Sequence, residues 1–365
     1  MTPEEFRSHG HALIDLITEY LEGIEQRPVS ALVKPGEVRA GLPEHPPAAP
    51  EPFERVLDDL RGIVIPGLTH WQHPQFFAYF PANITYASIL GELAAAGFGV
   101  QGMSWITSPA CTEVETLMLD WMQELLALPE RFRSTDHTGG GVIQGSASEA
   151  TLVAILSARW RSTGGRVNAD GDTSRLVAYA TSQAHSSIEK GLRIAGIGTE
   201  RIRTVAHDAS FAMRPDALAE AIAADKNAGL VPFFVCATHG TTSSMAFDPT
   251  PEIGDICRAN DVWLHVDGAM SGIAALVRRD DRFEIVAPHP LNLLCVSLVA
   301  GDAATDDLIE RANATGEVLF TRTVLDGRSV LRFSIGGRTT EQRHVLAGWN
   351  LLLCLIEPAH PTPEG

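Results

Sequence analysis

Asp267 closes the apolar segment Val262-Trp263-Leu264-His265-Val266-Asp267 and is followed by the small run Gly268-Ala269-Met270-Ser271-Gly272. A carboxylate at the end of a buried strand can sit against a pyridine nitrogen and keep it protonated, because a nearby opposite charge favours the charged form. A protonated ring of that kind is the electron sink of pyridoxal phosphate. Such a site normally needs a lysine to carry the cofactor as a Schiff base. No lysine occurs in the 98 residues after Asp267. The sequence offers one half of the chemistry and withholds the other.

Three more clusters fall beside it. Gln183-Ala184-His185-Ser186-Ser187 and His239-Gly240-Thr241-Thr242 each follow a short apolar run, and Gly145-Ser146-Ala147-Ser148 stands where a glycine-rich turn opens a helix. In a parallel α/β sheet, ligands sit beyond the carboxyl ends of the strands. Backbone N–H groups and hydroxyls at a helix N-terminus suit a phosphate, although a Gly-Ser turn alone is commonly just a cap. An imidazole such as His185 can stack on a flat ring and offer an N–H to a carboxylate; helix capping is its competing role.

The segment Trp71-Gln72-His73-Pro74-Gln75-Phe76-Phe77-Ala78-Tyr79-Phe80-Pro81 is dense in aromatics. Phe76 and Phe77 read as core, while a loop of Tyr, Phe and Pro suits the wall of a pocket for an aromatic ligand. His70 and His73 would share a metal ion only if a helix held them. Pro74 argues against that helix, so no metal is expected.

The elements that must position these residues follow from period and punctuation. Thr2 as N-cap, Pro3 at N1 and Glu4 and Glu5 in the first turn open an N-terminal helix. Phe6, Leu13, Ile14, Ile17, Tyr20, Leu21 and Ile24 keep its period. From Pro35 to Pro52 the chain is too rich in proline for helix or central strand and reads as an arm. An amphipathic helix on such an arm has no core of its own, which suggests cover by a partner subunit. A helix starts at Ser108-Pro109. Strands are expected over 176–180, 202–206, 232–238 and 262–266, with helices from Ser186, Pro215 and Pro251. Apolar runs of this length separated by helices predict a parallel sheet buried on both faces. Beyond Leu276, strands over 283–287, 291–298 and 330–335 join helices over 302–316 and from Thr340 in a smaller α+β unit. The expected division is an N-terminal arm and pocket segment (1–85), a large α/β domain (86–277) and a small C-terminal domain (278–365).

A net charge of −17 argues against nucleic acid or an anionic membrane surface as a partner. The five cysteines form no C-x-x-C pair, which disfavours a zinc site or disulfide framework and predicts reduced, mostly buried thiols. The N-terminus is acidic where a signal peptide would be basic, and no apolar run approaches the ~20 residues of a membrane span. A soluble, cytoplasmic protein is expected.

Taken together, these segments resemble the group II pyridoxal-phosphate-dependent decarboxylases, of the aromatic L-amino-acid (DOPA, tyrosine, tryptophan) kind. The resemblance covers nearly the whole sequence. It rests on residues 71–81, Ser104-Trp105 through Ser108-Pro109-Ala110-Cys111-Thr112-Glu113, and residues 141–150, 183–187, 237–243 and 264–272. It implies an aspartate aminotransferase-like (type I) α/β fold, with a mostly parallel central sheet, a small C-terminal domain and an N-terminal helical arm. Pyridoxal 5'-phosphate as cofactor, an amino-acid substrate and a homodimer come with it. By the same resemblance Asp267 binds the ring nitrogen, His185 stacks on the ring, Ala269 packs its other face and Thr242 sits beside the histidine. Ala147 and Ser148 hold the phosphate; Trp71, Tyr79, Phe80 and Pro81 shape the substrate pocket. The implied reaction is decarboxylation through an external aldimine and a quinonoid. Decarboxylation of an acidic amino acid, or an oxidative deamination, is the rival on the same scaffold.

The resemblance breaks after Leu276. The family's Asn-Pro-His-Lys motif should follow Asp267 by a few tens of residues, but Leu276 runs straight into Val277-Arg278-Arg279-Asp280. A block on the order of a hundred residues is missing, judged by the family's length and by domain size. The catalytic tyrosine loop and a carboxylate-contacting arginine are expected to go with it. Lys34, Lys190 and Lys226 are the only lysines. They fall on the arm, in the helix after His185 and at the entrance edge of a strand, so none is placed to substitute. Three accounts stay open: an intact enzyme of which this chain omits a segment, a true deletion leaving an inactive remnant, or a lysine-free binding protein. Losing such a block should cost more than the ~5–15 kcal/mol by which domains are stable, which favours the first.

Overall fold

Thr2 and Glu5 start the chain's first helix by capping each other. In the computed structural model, which describes residues 1–80, 82–136, 139–270 and 292–356, Thr2 Oγ1 accepts the Glu5 N–H at 3.2 Å and the Glu5 carboxylate accepts the Thr2 N–H at 2.6 Å. This capping box opens helix α1 (Pro3–Glu22). Its one buried residue is Leu16, packed with Leu57 and Ile65, whereas Phe6 and Ile14 face solvent. The period was right but the buried position was missing from it. The proline-rich arm holds one turn of helix, α2 (Glu37–Ala40), against the expectation of none. Pro35 and Pro43 lie outside that turn, where their missing N–H groups do no harm. Helix α3 (Phe53–Asp59) follows.

The chain forms two units, Met1–Ile89 with Asn292–Gly365, and Leu90–Leu291. The second unit contains a parallel sheet of β1 (Leu176–Thr181), β2 (Ile202–Val205), β3 (Val231–Thr238) and β4 (Trp263–Asp267), in the order β2-β1-β3-β4. The helices are α4 (Tyr86–Phe98), α5 (Pro109–Leu125), α6 (Ala147–Ser162), α7 (Val167–Asp170), α8 (Ser187–Ile194), α9 (Pro215–Asn227) and α10 (Thr250–Asn260). Helix α4 begins just before the unit boundary and runs into this unit.

Alternation along the strands divides this core in two. Ala178, Ala180, Phe234 and Cys236 pack against Ile155 of α6 and Ile188 and Leu192 of α8. Val177, Tyr179, Val235 and Ala237 pack against Leu218 and Ile222 of α9 and Ile253 and Cys257 of α10. Each fully buried side chain of the larger apolar kind contributes about 1.5–3 kcal/mol. Helices α6 and α8 approach closely because residue 191 is glycine: a Cβ there would lie 2.9 Å from Ile155 Cδ1. On the other face, the Asp225 carboxylate accepts the Tyr179 hydroxyl at 2.8 Å and Arg203 Nη2 at 2.7 Å. Burial and that carboxylate hold the Tyr179 phenol far above its usual pKa.

Around α4 and α5, by contrast, Leu90, Phe98, Trp105, Ile106, Trp121 and Leu125 are all exposed.

The first unit is completed by β5 (Leu293–Val296), α11 (Asp302–Ala314), β6 (Thr321–Leu325), β7 (Arg328–Ser334) and α12 (Gln342–Ile356). The sheet is antiparallel, in the order β5-β7-β6. Strand β6 was not expected. It is joined to β7 by Asp326 and Gly327, both at positive φ (48° and 79°), the two-residue turn that matches the twist of a hairpin. Phe76 and Phe77 are core, as expected, at 1% and 0% exposure. Phe77 packs on Phe320 and Phe333, and its N–H donates to the Leu319 carbonyl at 2.9 Å.

The expected strand over 283–287, the break at Leu276–Arg279 and Pro81 lie outside the described residues. All five cysteines are free, but only Cys236 and Cys257 are buried, so the expectation of mostly buried thiols fails. Among the described residues no helix is long and apolar enough to cross a membrane.

Candidate active site

Asp267 is the last residue of β4 and pairs in register with Thr238, the last of β3. Register puts Trp263, His265 and Asp267 on one face of the strand, the face packed by α6 and α8. The half-buried carboxylate accepts the Ala269 N–H at 3.1 Å. A carboxylate has further acceptor positions, so Asp267 keeps capacity for a ring N–H. One pleat behind it, His265 stacks on Phe234 with centroids 5.6 Å apart, and its buried Nε2 has no hydrogen-bond partner. Burial lowers the His265 pKa, against the opposing pull of Asp267. The same carboxylate, after burial, pushes the Cys236 thiol well above its usual range.

The loop after β3 is a tight hairpin in which the Gly240 and Thr241 N–H groups both donate to the Ala246 carbonyl, at 2.9 and 3.0 Å. The His239 N–H donates to the Asp267 carbonyl at 2.8 Å, fixing the hairpin to the end of β4. Ser244 Oγ donates to Gln183 Oε1 at 2.9 Å, which joins the loop carrying Thr242 to the one carrying His185. His185 Nδ1 accepts the Ser187 N–H at 3.2 Å and meets Ser187 Oγ at 2.9 Å. That contact assigns the proton of the neutral ring to Nε2. His185 is exposed and also borders a cleft of about 320 Å³ with Glu189, Thr199 and Thr204. The cleft opens toward β2 and Asp267 does not line it.

Helix α6 packs on this face of the sheet through Ile155 and Ala158. Near its C-terminal end, Arg161 pairs with Asp261 and lies 5.8 Å from the Trp263 ring, at the start of β4. At 1.5 Å per residue the helix is ~24 Å long, against ~16 Å for the strand. From that anchor the helix is long enough to carry its N-terminus past the end of β4 that holds Asp267. Ser146 caps it by accepting the Glu149 N–H at 3.2 Å, and Glu149 turns back to accept the Gly145 N–H at 3.0 Å. Ala147 and Ser148 are exposed in the first turn.

These residues fit the ring and phosphate of pyridoxal phosphate: a carboxylate with spare acceptor capacity, an exposed imidazole and an open helix N-terminus. They do not fit its attachment. Lys226 Nζ donates to Asn260 Oδ1 at 2.8 Å, at the end of the sheet where β4 begins. Lys190 is on the exposed side of α8, whose Ser187, Ile188, Gly191 and Leu192 face inward. Lys34 is exposed on the proline-rich arm.

In the first unit, Trp71 stacks on Phe76 and Tyr79 with centroids 4.7 and 5.4 Å apart. Trp71 and Tyr79 are nearly half exposed and Phe80 is half-buried. Sequence reasoning missed Arg332, which is only 5% exposed. Its Nη1 donates to Thr321 Oγ1 at 3.4 Å, its Nε has no partner, and no carboxylate among the described residues pairs with it. Burial lowers its pKa, partly countered by Cys295 and Tyr79. Ser334, two residues on along the same face of β7, likewise has a buried hydroxyl without a partner. Nothing in Val-Leu-Arg-Phe-Ser announces a buried cation beyond the arginine's place in an apolar strand. His70 Nδ1 meets the Tyr20 hydroxyl at 2.8 Å and His73 Nδ1 accepts the Gln75 N–H at 3.0 Å. No group of metal-binding side chains forms among the described residues.

Residues 35–298 match the family model described as the pyridoxal-dependent decarboxylase conserved domain. The chain is 46% identical to aromatic-L-amino-acid decarboxylase of Sus scrofa, over 100% of this chain and 99% of the relative. It is 34% identical to phenylacetaldehyde synthase of Arabidopsis thaliana, over 96% of each. The crystal structure of Oryza sativa TDC with PLP superposes with a TM-score of 0.87 at 32% identity, covering 97% of this chain and 98% of that one. The alignment to the Sus scrofa protein extends over 483 positions against 365 residues here, which leaves at least 118 positions without a counterpart in this chain.

Proposed function

Because the chain belongs to the pyridoxal-dependent decarboxylase family, with its type I fold, we propose that its function is the pyridoxal 5'-phosphate-dependent decarboxylation of an aromatic L-amino acid. The intact enzyme, in this proposal, carries a lysine-bearing block between Leu276 and Arg279 that the 365-residue chain lacks. One observation carries the proposal: Asp267, the Thr242 hairpin and the His185 loop emerge side by side from the carboxyl ends of β4, β3 and β1. The cofactor supplies the electron sink. Asp267 would keep its ring nitrogen protonated, and His185, with Thr242 beside it, and Ala269 would hold the ring. Ala147 and Ser148 would receive the phosphate.

The aromatic surface of Trp71, Tyr79 and Phe80 suits an aromatic side chain. Arg332, buried with no counter-ion among the described residues, suits the carboxylate that every amino-acid substrate brings. The 118 or more unmatched positions support the missing block. So do the exposed apolar side chains of α4 and α5, which a soluble monomer rarely leaves bare. A cytoplasmic homodimer, with α1 covered by the partner, is part of the same proposal.

The test is CO2 release from L-tryptophan, L-tyrosine, L-DOPA and L-glutamate. It uses the 365-residue chain and a form in which the Sus scrofa segment is inserted at Val277-Arg278. The completed form should release CO2 from an aromatic substrate at least tenfold faster than from glutamate, and the shorter chain from none. Preference for glutamate, by a completed form that circular dichroism shows to be folded, would overturn the aromatic assignment. The resemblance to phenylacetaldehyde synthase favours a second reading, in which the product is an aldehyde. Product analysis separates amine from aldehyde.

A further inference from the structure

We infer that this chain holds pyridoxal phosphate in the cradle of Asp267, His185 and the α6 N-terminus without any covalent bond to the protein. The identity of the ligand rests on the family membership just proposed as the basis of function; the lack of attachment rests on this chain's own lysines.

Attachment as a Schiff base needs an uncharged primary amine at the aldehyde carbon. Asp267 ends β4, while Lys226 is bonded to Asn260 just before that strand begins. Five strand residues separate the two by ~16 Å, and a lysine side chain reaches only ~6 Å. Lys190 points away from the sheet with Glu189 and Arg193, while Ser187, Ile188, Gly191 and Leu192 are buried. The terminal amine is 3.9 Å from the Glu5 carboxylate, and Lys34 is exposed on the proline-rich arm. Arginine is no substitute, since its guanidinium stays protonated.

What remains is recognition by contact. Asp267 accepts one backbone N–H and has room for another donor. The hairpin bonded to the Asp267 carbonyl and the Ser244–Gln183 link keep the three loops in place without the cofactor. Trp263 lies four residues from Asp267 on the same strand face, ~13 Å along the strand, so its fluorescence reports occupancy.

The experiment titrates the 365-residue chain with pyridoxal phosphate, follows tryptophan fluorescence, and then reduces with borohydride before peptide mapping. We expect saturable quenching that dialysis fully reverses. Asp267→Ala should weaken binding about tenfold or more, the loss of one charge-assisted contact. Asp267→Asn should fall between the two. Borohydride should leave only scattered lysine labelling, equal in the wild type and in Asp267→Ala. A stoichiometric label on one lysine that Asp267→Ala abolishes would overturn the inference while leaving the family-based function standing. Absence of saturable binding to a chain that circular dichroism shows to be folded would also overturn it. If the completed form used for CO2 release failed to bind as well, the proposed function would fall with it.

Discussion

Ser244 Oγ donates to Gln183 Oε1 at 2.9 Å across 61 residues of sequence, tying the loop after β3 to the loop after β1. Since Ser244 spends its proton there, Thr241, which is completely buried, donates to Ser244 at 2.7 Å and accepts the Ala246 N–H at 2.8 Å. This short chain holds two of the three loops that frame the proposed cofactor cradle.

Ser244→Ala leaves both the Gln183 carbonyl and the Thr241 hydroxyl short of a partner. The expected cost is about 1–3 kcal/mol, the penalty of unsatisfied buried polar groups. Urea unfolding measures it, and a cost below ~0.5 kcal/mol would mean that the link is made to solvent instead.

Acid should destabilise the protein well before its carboxylates titrate. Burial lowers the pKa of His70, His73 and His265. Folded pKa values below the unfolded ones mean that the unfolded chain binds more protons. Stability from these groups is therefore present above the unfolded value of ~6.5 and is lost as pH falls through the folded values. Melting temperature should drop between pH 7.5 and 5.5, and the drop should shrink in His265→Gln. Glu25, held at about 2 by Arg343 and His344, loses its contribution only further down, as pH falls from its unfolded value toward 2.

Arg332→Met should leave stability unchanged or raise it by ~1 kcal/mol or more. Removing a buried charge with which no carboxylate among the described residues pairs removes a desolvation penalty. The same change should abolish any binding of a carboxylate to this strand. A loss above ~1 kcal/mol in urea unfolding would show that the guanidinium is already compensated.

Phe77→Ala should cost about 3–5 kcal/mol, the range for an aromatic removed from a packed core, since Phe77 is wholly buried between Phe320 and Phe333. Tyr79→Phe, two residues on and 48% exposed, should stay within ~0.5 kcal/mol. Equal effects on melting would refute the division of this segment into core and pocket wall.

Much of this was legible beforehand. The four parallel strands were placed to within one or two residues, because a buried parallel strand is a short apolar run that a turn or helix must end. The β6–β7 hairpin was also signalled, by Asp326-Gly327, and was overlooked because β6 is polar in alternate positions. Leu16 was passed over for a different reason. Period marks a stripe of apolar residues, while burial within the stripe depends on what lies opposite, here Leu57 and Ile65.

By itself, the sequence determined the chemistry on offer: a strand-ending carboxylate, a glycine-serine helix start, a histidine loop, and no lysine after Asp267. These are local facts of residue type and order, and no folding can supply an amine the chain does not contain. Only the tertiary structure decided that β1, β3 and β4 are neighbours, that Ser244 reaches Gln183, and that Arg332 is buried in an apolar strand. Those depend on strand order and on packing between segments distant in sequence, where the winning arrangement is set by the whole core and not by any one segment of it.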